Sequence, residues 1–389
     1  MRLRSEGGSI LRPLLLVGAI NPVLCEAQAP SRTIGIDPER MEHVIPCDRT
    51  SGSAGFPMIA VSSGGDFAVL WQGTGMLRIE RANKASLAEI EVARARRIQW
   101  VDDSLAVTTH SPPAVRWLGA DGSTLGVDVL GSPRVPPGLR AGEPVLLGGD
   151  RTAVYLPSFP ARIVAGGQNA SRPVIVTPIE GGDSEELATL EVGHDVLELP
   201  KRDGGVRYTG QPFGDDPLFA VDARTGAVAV LRSRPDQATT SHSVAVISTT
   251  GDTIGAFSSS IRRRPLDGGA LSDTLRSLME RLDPEASDLS EADLASLVYA
   301  PGSVGAAAQM VLPGDGRVWV RIEEEGGTTN LWELTGYSEV GPTLLVRLPT
   351  GFRPSGASGS HLFGVLEVNG TFCVVRVPAP AKSADWPRP

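Results

Sequence analysis

The feature that most constrains this chain is a two-stranded pattern that recurs with the same internal punctuation. Leu77-x-Ile79-Glu80-x-x-Asn83-Lys84-x-x-Leu87-Ala88 has the spacing of Val115-x-Trp117-Leu118-x-x-Asp121-Gly122-x-x-Leu125-Gly126. Val244-x-Val246-Ile247-x-x-Thr250-Gly251-x-x-Ile254-Gly255 has it again. Each copy reads as an alternating strand, a two-residue turn of the Asn/Asp/Gly kind, and the start of a returning strand. A lone hairpin cannot bury both its faces in water, so copies at regular intervals must stack on one another.

Hairpins repeating at a spacing of roughly 40 residues or more are the mark of propeller blades. The fold class expected is therefore all-β, a β-propeller, and a closed ring absorbs the 389 residues as one body. With 45 Gly and 31 Pro beside 41% hydrophobic residues, the composition suits short strands joined by turns and argues against a helical bundle.

The strand pattern gives blade one from about Phe56 to Val92 and blade two from about Ala95 to Leu130. Blade three, from Pro137 to Val192, is less regular, with Pro144 and Pro178 at edge positions or strand ends. Blade four starts at Pro217 and ends in the Val246 hairpin; blade five carries Gln309–Val311, Val318–Ile322, Asn330–Leu334 and Thr343–Leu348. The last piece, His361–Glu367 and Thr371–Val377, is a hairpin short of about two strands. Thr33–Ile45 is available to finish it, which gives six blades, with five or seven as alternatives. The expected organisation is an N-terminal segment over 30–55 completing the last blade, the propeller over 56–380, and a disordered tail over 381–389.

One region breaks the pattern. Leu271, Leu275, Leu278, Met279 and Leu282 recur at helical spacing until Pro284, and Ser290 with Asp293 caps a second helix whose apolar face is Leu294, Leu297 and Val298. A helical hairpin over 268–298 is thus inserted between blades four and five. Its stripe either packs on the propeller's own face or forms a lid or partner-binding element over the central channel.

The first 29 residues read as a secretory signal peptide. Arg2, Arg4 and Arg12 precede the apolar run Leu14–Ile20, and Ala27-Gln28-Ala29 fits the small-x-small rule, with cleavage after Ala29. Cys25 raises a lipid anchor as the alternative, although Leu24 is bulkier than such a site wants. The apolar run is too short for a permanent span. A secreted or periplasmic protein, a monomer with no membrane span, is expected. Cleavage moves the formal charge from −9 to −10, which disfavours nucleic acid. Arg262-Arg263-Arg264 reads as a solvated loop edge, with anion binding as the alternative.

After cleavage Cys47 and Cys373 remain, at opposite ends of the folded region. In an oxidising compartment they can pair as a latch across the ring, closing a loop of roughly 325 residues; two buried free thiols are the alternative.

On Asp121-Gly122, Gly251-Asp252-Thr253-Ile254, Pro313-Gly314-Asp315-Gly316-Arg317-Val318-Trp319-Val320 and the helical insert ahead of that last motif, the chain resembles the six-bladed β-propeller proteins exported by bacteria, relatives of the NHL-repeat group. The resemblance covers most of residues 56–377, and blade three departs from it. It implies a fold and export, with ligand or protein binding as the usual role and no established activity for most members.

Catalytic constellations do not stand out. The chain has no His-Glu-x-x-His, no Cys-x-x-Cys, no phosphate-cradling glycine loop and no Gly-x-Ser-x-Gly elbow; Gly356-Ala357-Ser358-Gly359 reads as a flexible loop. His43, His110, His194, His242 and His361 are not paired at metal-ligand spacing. His110 and His242 each precede an outer strand, which places them in loops at one end of the ring. A calcium site of the propeller-lactonase kind would need carboxylates from several blades. Asp66, Asp103, Asp222 and Asp315 lie near inner strands, but each sits where a turn wants Asp. Asn169-Ala170-Ser171 and Asn369-Gly370-Thr371 match the glycan acceptor pattern, the second better explained as a hairpin turn. The six Trp fall mostly on strands, as packing residues.

The expected function is a non-catalytic scaffold that binds an unknown protein or small molecule, with no catalytic, cofactor-binding or metal residues assigned. The alternative is a calcium-dependent hydrolase or lactonase of propeller type.

Overall fold

The computed structural model of the chain describes residues 33–45 and 57–380, less short internal stretches of which 158–169, 282–288 and 323–329 are the longest. Six antiparallel sheets follow one another as the blades of a propeller. From inside outward, blade one is Pro57–Val61, Phe67–Trp71, Met76–Arg81 and Lys84–Glu91, and blade two is Ala95–Val101, Ser104–His110, Pro113–Leu118 and Thr124–Val129. Blade three is Pro144–Leu147, Thr152–Tyr155, Ala170–Pro178 and Glu185–Val192. Blade four is Leu218–Asp222, Ala227–Pro235, Thr239–Ile247 and Thr253–Arg262. Blade five is Ala307–Val311, Arg317–Ile322, Asn330–Gly336 and Leu344–Leu348.

Blade six is built from both ends of the chain. Phe352–Ser358, His361–Val368 and Thr371–Pro378 are its three inner strands, and Glu42–Ile45 is the fourth, antiparallel with Glu42 opposite Arg376. Thr33–Gly35 does not join this blade: it runs parallel to Leu344–Leu348 as a fifth strand of blade five. The inner strand Phe352–Ser358 corrects the sequence expectation of a flexible loop at 356–359, since Gly356, Ala357 and Ser358 all lie in it. The residue pattern there is not strand-like because the neighbouring blade comes too close: a Cβ on Gly356 would meet the Val61 side chain at 2.8 Å. Innermost strands of adjacent blades touch, and the Ala357 amide donates to the Pro313 carbonyl at 2.6 Å, so the ring closes between blades five and six as well.

The repeated hairpin of the sequence is the outer pair of strands in blades one, two and four. In blade one Arg81 pairs with Lys84 across a two-residue turn, as expected, whereas in blades two and four the turn is longer. In 119–123 the Gly122 amide donates to the Gly119 carbonyl and the Gly119 amide to the Ser123 carbonyl, at 2.9 and 2.8 Å. The same two bonds join 248–252 at 3.0 and 2.9 Å, and both returning strands carry a bulge just past the turn. The fourth turn residue is left-handed, φ +81° at Gly122 and +87° at Gly251, which is why glycine recurs there. Arg151 holds the equivalent place in 148–152 at φ +62°.

The core is six apolar wedges, one between each pair of neighbouring blades. Leu70, Leu77 and Ile79 of blade one pack on Ile98, Trp100 and Leu105 of blade two. The wedge between blades five and six holds Trp319, Trp332, Phe352, Cys373 and Val375, with Ile34 and Ile36 of the N-terminal segment against it. Trp319 and Trp332 meet edge-on, 6.4 Å between ring centres. Blades six and one are tied by Phe363 and Phe67, 5.7 Å apart. Each fully buried Leu, Val or Phe in these wedges contributes about 1.5–3 kcal/mol. Trp71, Trp100, Trp319 and Trp332 are buried on strands, as the packing role requires; Trp386 lies outside the described residues.

Candidate functional site

In a four-stranded meander the start of the first strand and the end of the fourth lie at one end of the blade. Every connection from one blade to the next therefore leaves from the same face of the ring, here termed the upper face. Two neighbouring connections on that face carry extra structure. Between blades three and four, Val196–Pro200 and Val206–Gly210 form a β-hairpin that sequence reasoning missed. Between blades four and five, helices α1 (Gly268–Arg281) and α2 (Glu291–Leu297) form the inserted pair. Two short strands, Arg264–Pro265 and Ser303–Val304, join at the base of this second insertion.

The two insertions share one core. Leu197 and Leu199 of the hairpin, Leu275 of α1, and Leu294 and Val298 around α2 are buried together, with Leu271, Leu278, Met279, Leu289 and Phe213 packed against them. The helical stripe thus covers a second insertion and not the propeller's own face, because alternating Leu197 and Leu199 offer it an apolar strand surface. Leu282 lies outside the described residues. A capping box starts α2: the Asp293 amide donates to Ser290 Oγ at 3.1 Å, and the Ser290 amide donates back to Asp293 at 3.0 Å. These bonds, the Ser290 hydroxyl first, hold the Asp293 carboxyl below the usual range.

The opposite, lower face is made of the turns between first and second strands and between third and fourth. Here Asp222 and Asp315 stand at the junction of blades four and five. Asp222 is 1% exposed and accepts four bonds: the Arg224 and Thr225 amides at 2.9 and 3.3 Å, the Thr225 hydroxyl at 2.8 Å, and the Tyr337 hydroxyl at 3.0 Å. Arg224 donates across the junction to the Gly314 carbonyl at 2.9 Å. Asp315 accepts from the Arg317 amide at 3.0 Å and Trp319 Nε1 at 3.1 Å. Burial pushes the Asp315 carboxyl up, and burial beside Asp222 pushes the Tyr337 phenol up, so Tyr337 remains a donor. A second polar tie joins blades two and three. The Gln99 amide group donates to the Leu147 carbonyl at 2.5 Å and accepts from its amide at 2.8 Å, mimicking a backbone pair between inner strands.

These arrangements place the residues singled out from the sequence. Asp222 is occupied by its own turn and by Tyr337 of blade five, and Asp315 by its own blade. Asp103 is exposed in the blade two turn, and the Asp66 amide is held by Ser62 Oγ at 2.9 Å. Among the described residues no three His, Cys, Asp or Glu side chains gather as a metal ion would need. His110 and His242 do not occupy matching loops. His110 ends a strand in blade two, exposed, with Nδ1 3.3 Å from Glu143, whereas His242 is buried at 1% inside the third strand of blade four. Arg262 ends the outer strand of blade four, and Arg264 pairs with Val304 below the helices.

Cys373 is fully buried and disulfide-bonded. Ala29, Cys25, Cys47, His194 and Asn169 lie outside the described residues. No described helix is long and apolar enough to cross a membrane. Tyr337 and Arg224 were invisible to sequence reasoning, since their partners lie 115 and 90 residues away along the chain.

No known family pattern matches the chain, and no curated protein does. Solved structures match it along most of its length. The WD40 domain of Toxoplasma gondii coronin shares 10% identity, covering 94% of this chain and 90% of that one with a TM-score of 0.36. YCF48 bound to D1 peptide shares 11%, covering 91% and 100%, with a TM-score of 0.36. The PQQ-bound aldose sugar dehydrogenase of Streptomyces coelicolor shares 13%, covering 87% and 97%, with a TM-score of 0.34. Likenesses this remote carry no argument about activity or fold, and it is the chain's own six sheets, ring-closed in sequence, that make it a six-bladed β-propeller.

Proposed function

We propose that this protein is an exported, non-catalytic binding scaffold of bacterial origin, akin to the NHL-repeat propellers, whose partner docks on the module raised over blades three to five. One observation carries the reading. Two separate insertions, from adjacent connections on one face, pack on each other around a core of their own. A ring that needed only to close would connect its blades by short turns, as Val92 to Ala95 does between blades one and two. Loops held on a rigid scaffold are where binding surfaces are usually built.

The acid-rich composition supports a soluble partner rather than nucleic acid. Export is supported by the oxidised state of Cys373, and Cys47 is its proposed partner. The last described residue before Cys47, Ile45, stands opposite Val374 in blade six, next in sequence to Cys373.

The reading is tested by replacing 194–213 and 266–302 together with short turns, so that neither half of the shared core is left exposed. The shortened protein is expected to keep a cooperative melt and to lose the partners that the full chain captures by cross-linking in an extract of its own cell envelope. A shortened ring that keeps the same partners refutes the assignment. Non-reducing peptide mapping that finds Cys373 linked to anything but Cys47 refutes the pairing.

A further inference from the structure

The outer strands of a propeller are open sheet edges, and most of those here are defended against pairing with another chain. Blade one ends in Lys84–Glu91 with exposed Glu89 and Glu91, and blade three in Glu185–Val192 with exposed Glu185 and Glu186. Blade four ends in a serine-rich strand in which, among the described side chains, Ile254 is the exposed large apolar residue. Blade five is covered by Thr33–Gly35, and blade six ends in Glu42–Ile45, where Glu42 is ion-paired to Arg376.

Among the described residues, blade two has neither an exposed charge nor a covering strand on its edge, and its one irregularity is the bulge at the start of the strand. Thr124–Val129 carries Val127 and Val129 on one face, 56% and 68% exposed, and Leu125, the bulge residue before them, 60% exposed. Its one charge, Asp128, points to the other face and is engaged by Trp117 Nε1 and Arg151, each at 2.8 Å. Among the described residues no strand lies on its outer side. Exposed apolar side chains in a row along an open edge mark an association surface.

We propose that this edge joins two copies of the chain, their Thr124–Val129 strands pairing antiparallel about a two-fold axis at Val127. The strand is self-complementary in that register. Leu125 meets Val129 of the second copy, Val127 meets Val127, and Gly126 meets Asp128, so each carboxylate faces a glycine. Moving the axis to Asp128 sets two carboxylates opposite each other, and moving it to Gly126 leaves Val129 without an apolar partner. Six paired residues bury less than the ~1,200 Å² of a stable complex, so the dimer is weak and forms with rising concentration. This surface lies on a different blade from the upper-face module and stands or falls independently of it.

Sedimentation velocity from about 1 to about 200 µM, the range of weak affinities, reads the outcome. The wild-type mass is expected to rise twofold across it. Val127→Glu, at an exposed position, is expected to hold a single-chain mass throughout with an unchanged melting temperature. Val127→Cys alone should form an intermolecular disulfide on mild oxidation, because the residue on the axis meets its own copy. Leu125→Cys should do so only in combination with Val129→Cys. A wild-type protein that stays a monomer at the top concentration overturns the proposal, as does a dimer that survives Val127→Glu.

Discussion

Blade five is held on its two sides by opposite means. Toward blade six the buried side chains are mostly apolar: Trp319, Trp332, Phe352 and Val375, with Ile34 and Ile36 laid over them by the N-terminal segment. The polar contacts there reach backbone carbonyls, from the Ala357 amide to Pro313 and from the Asn330 side chain to Phe352, each at 2.6 Å. Toward blade four an apolar wedge of Val246, Met310 and Val318 gives way at the lower face to a buried carboxylate, a phenol and a guanidinium. The apolar seam gains from area and tolerates small shifts. The polar seam gains little net free energy, since each bond replaces one to water, but it is costly to misplace. The difference teaches that this ring closes by burial and sets the angle between blades four and five by hydrogen-bond geometry. Those are the blades whose connection carries the helices.

Four substitutions separate the two seams. Trp332→Ala, in the apolar seam, should cost about 3–5 kcal/mol by chemical denaturation, as truncated buried aromatics do. A cost below about 1 kcal/mol would show that the seam does not close the ring. Gly255→Ala acts on the other side, where a Cβ would stand 2.6 Å from the Tyr337 carbonyl oxygen. The backbone must yield, so a loss of about 1–3 kcal/mol is expected. Combined with Tyr337→Phe it should fall short of the sum of the two single changes, because both disturb one contact. Tyr337→Phe alone removes one of four donors to buried Asp222 and should cost about 1–2 kcal/mol, with the apolar wedge intact.

The smallest effect is one of pH. Burial raises the Asp315 carboxyl, so the folded state binds its proton more tightly than the unfolded chain. Its contribution is therefore most favourable below the ordinary carboxylate value and is lost as pH rises through the raised one. The stability of wild type relative to Asp315→Asn should fall as pH rises from the ordinary carboxylate range toward neutrality. A difference that grows with pH would mean that the hydrogen bonds from Trp319 and Arg317 outweigh burial.

The regular blades were legible because each writes its own signals within some 40 residues: period-two strands and a turn glycine. The helical insert was legible for the same reason, through a 3.6-residue stripe and the Ser290–Asp293 cap. What was not legible depends on distance or on missing side chains. The end of Phe352–Ser358, from Gly356 on, reads as a loop because Gly356 has no side chain where Val61 comes close, a fact of blade one. The Val196–Gly210 hairpin is short, and Leu197 and Leu199 gain meaning only once α1 and α2 lie on them. The fifth strand of blade five is three residues long, too brief for any periodicity. Asp222 showed as a turn residue; that Tyr337 completes its bonding could be known only from the ring.

The seam through which the first and last segments meet has a consequence for how the molecule is made. Glu42 pairs with Arg376, 334 positions on, so the earlier strand leaves the ribosome long before its partner. Until then blade six lacks its rim and Thr33–Gly35 has no blade five to lie along. Vectorial synthesis can lay down blades one to four in order, but the circle is completed in a single late step of very high sequence separation. A nascent chain stalled before Phe352 is an open arc with an apolar end face, and quality control would meet this protein in that form.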